Sequence, residues 1–402
     1  MEVRLRGESM ETCKVTLRPK EDVRIRNGHA WVYNNEVANI DGEIVSGELA
    51  RVYSSKGDFL GKGFLNTASK IFVRILARED VTIDRAFFKA RLAAADRARR
   101  DLGFSGCYRA FFAEADGIPG LIVDKYEDWL VVQILSLGID RRKQVFVDLL
   151  VELFQPKGIY ERSDVPVRLK EGLPETKGVL YGAVPDLVRV SESGVLMDVD
   201  VKNGQKTGSF LDQQENHAAI APYAQGKDVL DCFSHTGGFG LAAAKAGAHH
   251  VTCVDLSQTA CDRIAANAAL NGFANVDVVK ADVFQLLRKE HAEGKSYDLV
   301  VLDPPAFTKN AENLAAAYAG YKEINIQGLK LVRHGGFLLT CSCSHYMTPA
   351  LFLEMLLEAG IDAGRIVQMI EFRTQGKDHP TLLGSEESFY LKVVVLRVLD
   401  KR

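Results

Sequence analysis

The stretch "KDVLDCFSHTGGFGLAAAKAGA", residues 227–248, decides the fold reading. A short apolar run ends at Cys232–Phe233, a polar turn carries Gly237, Gly238 and Gly240, and an alanine-rich segment follows. Buried strand, glycine turn and helix former in that order open a βαβ unit. Working outward, the alternation continues: "HVTCVDLS" (250–257) as strand, "QTACDRIAANAALNG" (258–272) as helix, "NVDVVKAD" (275–282) as strand. Then come "VFQLLRKEHAEG" (283–294) as helix, "YDLVVLDPP" (297–305) as strand, a long helical segment to Val332, and "GGFLLTCSCS" (335–344) as strand. "YLKVVVLRVL" (390–399) is expected to add an edge strand. The fold class is therefore α/β, with a doubly wound domain over 191–402.

Upstream the pattern differs. Between 14 and 80, five short β-type runs ("VTLRP", "AWVYNNEV", "GELARVYSS", "FLGKGFLN", "KIFVRILA") are broken by turn residues, which predicts a small all-β domain. A helix is expected over about 84–102, opening an α+β middle domain over 81–190. Its strands are "GLIVDKY", "WLVVQILS" and "GIYERS", its second helix is "RRKQVFVDLLVELF", and "GVLYGAV" and "VLMDVDV" read as two strands around a turn. Six cations (Arg85, Lys89, Arg91, Arg97, Arg99, Arg100) against Asp96 make the first helix either a solvated face or a rail for phosphates.

With 402 residues, 47% apolar and 26% charged, the chain has the composition of a folded globular protein of two or three domains. No run reaches the roughly 18–20 apolar residues that cross a bilayer, and the start lacks a secretory segment, so a cytoplasmic location is expected. Met10 is a second candidate start. Seven scattered cysteines argue against a disulfide framework, and their spacing fits no metal site. A net charge of −3 does not announce a nucleic-acid binder.

Acids stand at the ends of four successive strands of the doubly wound domain: Asp231, Asp255, Asp282 and Asp303. A lone aspartate there is commonly a helix cap. Four of them, with a glycine loop after the first, point to a nucleoside ligand. Asp255 can accept from both ribose hydroxyls and Asp282 from an adenine amino group. The glycine spacing is not G-x-G-x-x-G and no Walker lysine is present, so dinucleotides and nucleoside triphosphates fit poorly. S-adenosylmethionine fits, its sulfonium giving Asp231 and Asp303 a cation to face.

"VLDCFSHTGGFG", "DLS", "NGFANVDVVKADVF", "YDLVVLDPPAF" and "TCSCSHYMTPALF" resemble the motifs of class I, Rossmann-like methyltransferases. With "RNGHAWVYNNEV" (26–37), "EADGIPGLIVDKY" (114–126), "KTGSFLDQQENH" (206–217) and "DHP" (378–380), nearly the whole chain is similar to one family. These are the large-subunit ribosomal RNA cytosine-C5 methyltransferases with an N-terminal PUA domain. The resemblance implies a PUA-like RNA-docking domain at 14–80, ribosomal RNA as partner and S-adenosylmethionine as cofactor. It suggests a homodimer. It also implies cofactor contacts from Phe210, Gln213, Asp231, Ser234, Thr236, Gly237, Asp255, Asp282, Asp303 and Pro304.

Cytosine C5 is a poor nucleophile until a thiolate adds to C6, so such an enzyme needs a cysteine near the methyl donor. "TCSCS" offers two, and residues i and i+2 share a strand face, so periodicity leaves both open. Cys343 lies nearer the turn and in the frame associated with the family, and is assigned as nucleophile with Asp303 as partner for the N3/N4 edge of the base. Ala306 stands where related RNA enzymes carry a second cysteine, leaving the C5 proton acceptor unassigned. Two alternatives remain. One is amino-group methylation, with Asp303 and a base-stacking Phe307; the other is a non-catalytic RNA-binding assembly factor. His345 and His379 are expected in core or capping roles.

Overall fold

The computed structural model describes residues 11–308 and 312–401; both candidate starts, Met1 and Met10, lie outside them. Contacts divide the chain into two compact units, one running through Val190 with Val199–Leu211 and Lys377–Ser388, the other made of Ser191–Asp198, Asp212–Gly376 and Phe389–Arg402.

The first unit holds two sheets. Strands β1 (Glu11–Leu17), β2 (Trp31–Tyr33), β3 (Val37–Gly42), β4 (Leu49–Tyr53), β5 (Phe59–Leu65) and β6 (Ile71–Ala77) form a six-stranded sheet in the order β2-β6-β5-β4-β1-β3. Strands β7 (Cys107–Phe112), β8 (Leu121–Tyr126), β9 (Trp129–Ile134), β10 (Gly158–Ser163) and β11 (Thr176–Gly182) form a second, in the order β11-β10-β9-β8-β7. "GVLYGAV" and "VLMDVDV" do not pair with each other, contrary to expectation. The first belongs to β11 and joins β10, whereas the second is β13 (Val195–Val199) and pairs with β12 (Val188–Glu192). The intervening strand captured β13 because a close antiparallel neighbour forms its ladder at lower loop entropy.

The cationic helix forms at Arg85–Asp101, capped by the Asp84 side chain, which accepts from Phe87 N. Four of its six cations meet acids, Arg85 and Lys89 sharing one carboxylate. Arg85 pairs with Glu152 at 2.7 Å, as does Lys89 at 2.5 Å; Arg100 pairs with Asp96 at 2.8 Å. Arg99 is buried and bridges Asp116 and the Asp378 carbonyl. The "DHP" motif is structural in this unit: Asp378 accepts from Arg109 N at 2.8 Å and lies 2.8 Å from His379 Nδ1, both side chains buried.

The second unit is built on a seven-stranded sheet: β14 (Asp228–Cys232), β15 (His250–Asp255), β16 (Val276–Lys280), β17 (Tyr297–Leu302), β18 (Val332–Ser342), β19 (Arg365–Arg373) and β20 (Lys392–Asp400). Their order is β16-β15-β14-β17-β18-β20-β19. The five strands through β18 pair in parallel and β20 runs antiparallel to β18, so the doubly wound expectation holds. Strands β14 and β17 are buried along almost their whole length, and β17 ends in the apolar run Leu299–Leu302. The "YLKVVVLRVL" strand is interior rather than an edge. Its VVVL run is buried throughout, while β19, unread in the sequence, takes the edge with Met369, Ile370 and Phe372 exposed. No helix among the described residues is long and apolar enough to cross a membrane.

Candidate functional site

Strand register sets the levels of the polar groups at the carboxyl end of this sheet. Asp231 pairs with Cys253 and Val301, Cys232 with Leu302, and Leu302 with Thr340. Asp303 is therefore level with Cys341, Asp255 lies two residues beyond Asp231's level, and Asp282 two further still. The acids step outward across the sheet instead of lying in one row. Cys343 stands two residues past Asp303's level, about 7 Å along the strand direction.

The loop after β14 is tightly wound, with Phe233, His235 and Gly237 all at positive φ (64°, 52° and 93°). Ser234 is its knot: the buried hydroxyl donates to Asp231 O at 2.7 Å and accepts from Val254 N at 3.0 Å. Asn267 Nδ2 donates to Thr236 O at 3.2 Å. A Cβ on Gly240 would lie 2.3 Å from Cys253 Sγ, so only glycine lets the helix Gly238–Lys245 approach β15 this closely. Gly240 N donates to Asp231 Oδ2 at 2.9 Å.

Asp231 is 1% exposed, and its Oδ1 is a buried acceptor without a hydrogen-bond partner among the described residues. Burial pushes its carboxyl up to about 7, against the Gly240 N–H. An orphaned acceptor beside a glycine cradle fits a cationic ligand group. Asp255 is half-buried, accepting from His235 N at 3.0 Å and Ser257 N at 2.9 Å. A carboxylate has about four acceptor positions, so it retains capacity for hydroxyls. Asp282 caps the helix Val283–Ala292 by accepting from Gln285 N at 3.0 Å, the role a lone strand-end acid commonly takes.

Asp303 accepts from Gln213 Nε2 at 3.0 Å. Gln213 is buried and in turn held by Asn216 Nδ2 on its Oε1 at 2.7 Å, while Arg373 Nε donates to Asn216 Oδ1 at 2.9 Å. Gln213 thus orients Asp303, and Pro304 is buried behind it. Phe210 belongs to the first unit, where the Lys206 ammonium lies 4.4 Å from its ring centroid.

None of the seven cysteines forms a disulfide, and Cys343 alone is not buried. Cys341 is 0% exposed in the core, and burial together with the Asp303 carboxylate holds its thiol well above the ordinary range. A thiolate is disfavoured there. Phe307 packs on Tyr321, with ring centroids 4.5 Å apart, and against Gly320. His345 is exposed beside Tyr346.

Two residues went unread. His217 is buried against Phe239, paired with Glu192, and occupies the space a Gly238 Cβ would fill. Burial alone would lower the imidazole; the Glu192 carboxylate outweighs it and holds it raised. Its place in "QQENH" was the available signal. Lys392, buried on β20, carried none.

Residues 15–78 match a family described as a PUA-like domain, and 177–383 match one described as S-adenosylmethionine-dependent methyltransferase. The Shewanella amazonensis protein named Ribosomal RNA large subunit methyltransferase I is 43% identical over 96% of this chain and 100% of its own length. A Vibrio cholerae protein of the same name is 43% identical over 94% and 97%. Among solved structures, a Streptococcus mutans protein described as a SAM-dependent methyltransferase superposes with a TM-score of 0.82 at 22% identity, covering 96% of this chain and 100% of that one. Another methyltransferase, complexed with SAH, gives 0.83 at 23% identity over the same shares.

Proposed function

Because the chain belongs to the family of S-adenosylmethionine-dependent methyltransferases that carry a PUA-like domain, we propose that it methylates C5 of a cytosine in large-subunit ribosomal RNA. The names of the relatives support the RNA class. One observation supports the carbon chemistry: the partly exposed Cys343 stands past the carboxyl end of β18, beyond the level of Asp303, while the half-buried Phe307 packs on Tyr321. On this reading the N-terminal six-stranded sheet docks RNA, and the protein works in the cytoplasm, as a homodimer if it follows the family.

S-adenosylmethionine supplies an electrophilic methyl group when bound. Asp231, Asp255, Asp282 and the loop Ser234–Gly237 would hold it, with Asp231 toward its positive charge and Asp255 toward the ribose. Cys343 Sγ adds to C6 of the cytosine, and the displaced electron pair makes C5 nucleophilic. Asp303, oriented by Gln213, bonds the N3/N4 edge and stabilises the dearomatised ring. After C5 is methylated, loss of its proton and departure of the thiolate restore aromaticity.

The test is nucleoside mass spectrometry of ribosomal RNA from cells with and without the gene. Loss of one 5-methylcytidine is expected; loss of an amino-methylated base instead would return the reaction to Asp303 and Phe307.

Cofactor binding gives two further expectations. Asp255→Ala should weaken S-adenosylmethionine binding by about 1.5–3 kcal/mol, the loss of charge-assisted hydrogen bonds, read by calorimetry beside a thermal melt. The Asp231 carboxyl, raised to about 7, holds a proton in the free protein below that pH. A cation needs the carboxylate, so binding should release about half a proton at pH 7 and tighten from pH 6 to 8. Calorimetry in buffers of different ionisation enthalpy measures this; no proton release would remove Asp231 from the cationic end.

A further inference from the structure

The first unit holds a groove of about 640 Å³, lined by the end of β6, the cationic helix and the segment Glu114–Gly117. Two of its lining residues are arginines that meet no carboxylate among the described residues. Arg78 donates to Ile25 O and, at 3.0 Å, to His29 O. Arg91 donates to Gly117 O at 2.7 Å and lies 4.3 Å from the Phe87 ring centroid. Burial pulls the pKa of both guanidiniums down, and no acid acts against it. The acids inside the groove are already neutralised: Glu114 accepts from Trp31 Nε1 and pairs with Arg74, and Asp116 takes both terminal nitrogens of Arg99. Glu79, exposed, is the one other acid on its lining. Gly117, at φ 84°, makes room for the second arginine, since a Cβ there would lie 2.0 Å from Arg91 Nη1.

We infer that this groove takes one phosphate of an RNA strand, clamped between Arg78 and Arg91. The assignment rests on the RNA reading and deepens it, moving the docking site from the six-stranded sheet alone to its junction with the cationic helix. Each guanidinium has more N–H donors than the carbonyls use, and its planar fork matches phosphate oxygens. A charge drawn out of water without a counter-charge is costly, and one phosphate relieves both arginines at once. Val81, Phe87 and Leu382 add an apolar wall against which the attached nucleoside can lie. A groove of this volume admits a nucleotide turned out of its strand, the form in which RNA is bound by stacking and by its exposed edges. Arg91 and Arg97 are the two cations of the helix left without an acid among the described residues, and only Arg91 lines the groove.

The test is binding of a large-subunit ribosomal RNA transcript by the full-length protein over a series of salt concentrations, with a thermal melt and S-adenosylmethionine binding as checks of folding. The double variant Arg78→Gln, Arg91→Gln should weaken binding at least about tenfold. It should also lower the slope of log affinity against log salt by about 0.7, the counterion equivalent of one single-strand phosphate. Arg91→Lys, which keeps the charge but loses the fork, should fall between wild type and Arg91→Gln. Glu79→Gln, which removes the remaining acid, should tighten binding about twofold. Arg97→Gln, an exposed cation outside the groove, should stay within about twofold of wild type. Unchanged affinity and slope in the double variant, with RNA still bound by the wild type, overturn the groove and leave the RNA reading standing. Equal losses in Arg97→Gln and Arg91→Gln overturn it as well, because the effect would then be one of general charge. No binding of the transcript by the wild type would overturn the RNA reading, and the groove with it.

Discussion

Cys343→Ala is expected to abolish methyl transfer, by at least about 10⁴-fold, while S-adenosylmethionine binding stays within about twofold, because in the proposed mechanism its thiol serves the base and not the cofactor. RNA carrying 5-fluorocytosine at the target should trap the wild-type protein in an adduct that survives denaturing electrophoresis, since fluorine does not leave as a proton does. Cys343→Ala should form none. Cys341→Ala should keep both adduct and turnover at a stability loss of about 1 kcal/mol, from removing a small buried group. The asymmetry follows from register: Cys341 is level with Asp303 and sealed in the core, and Cys343 lies two residues further out. Adduct formation by Cys343→Ala but not Cys341→Ala would reverse the assignment. Full turnover in the double variant would remove covalent catalysis.

Asp303→Asn is the second large effect. The amide oxygen can still accept from Gln213 Nε2, so the geometry around β17 is kept, but the charge that in the proposed mechanism stabilises the attacked ring is lost. Turnover should fall by about 10²–10⁴, with a smaller change in cofactor affinity. Steady-state kinetics with separate titration of RNA and cofactor measures the split. A rise in the cofactor KM with kcat intact would make Asp303 a cofactor residue only. Gln213 lies one step behind and holds that carboxylate.

The strands and helices of the doubly wound sheet were legible because each is a local pattern. The apolar runs of β14 and β17, the glycines after Phe233 and the alanine-rich helix act within a few residues of one another. The strand-end acids were visible for the same reason, but not their levels: a stagger of two to four residues arises from ladders between strands tens of residues apart. The cationic helix was legible as a helix but not in its ion pairs, because Glu152 and Asp116 lie 63 and 17 residues from cations they meet.

By itself the sequence determined the α/β class, the glycine turn and a cysteine pair at the end of β18, all consequences of side-chain periodicity along one segment. The tertiary structure alone decided that "YLKVVVLRVL" lies inside the sheet and β19 at its edge, since antiparallel insertion depends on which distant strand offers a buried ladder. It also set the two cysteines apart in exposure, Cys341 buried and Cys343 half-buried. Positions i and i+2 share a face, so no local rule separates them. What separates them is where β18 ends: Cys341 is paired within the sheet, and Cys343 stands past the last strand residue, Ser342.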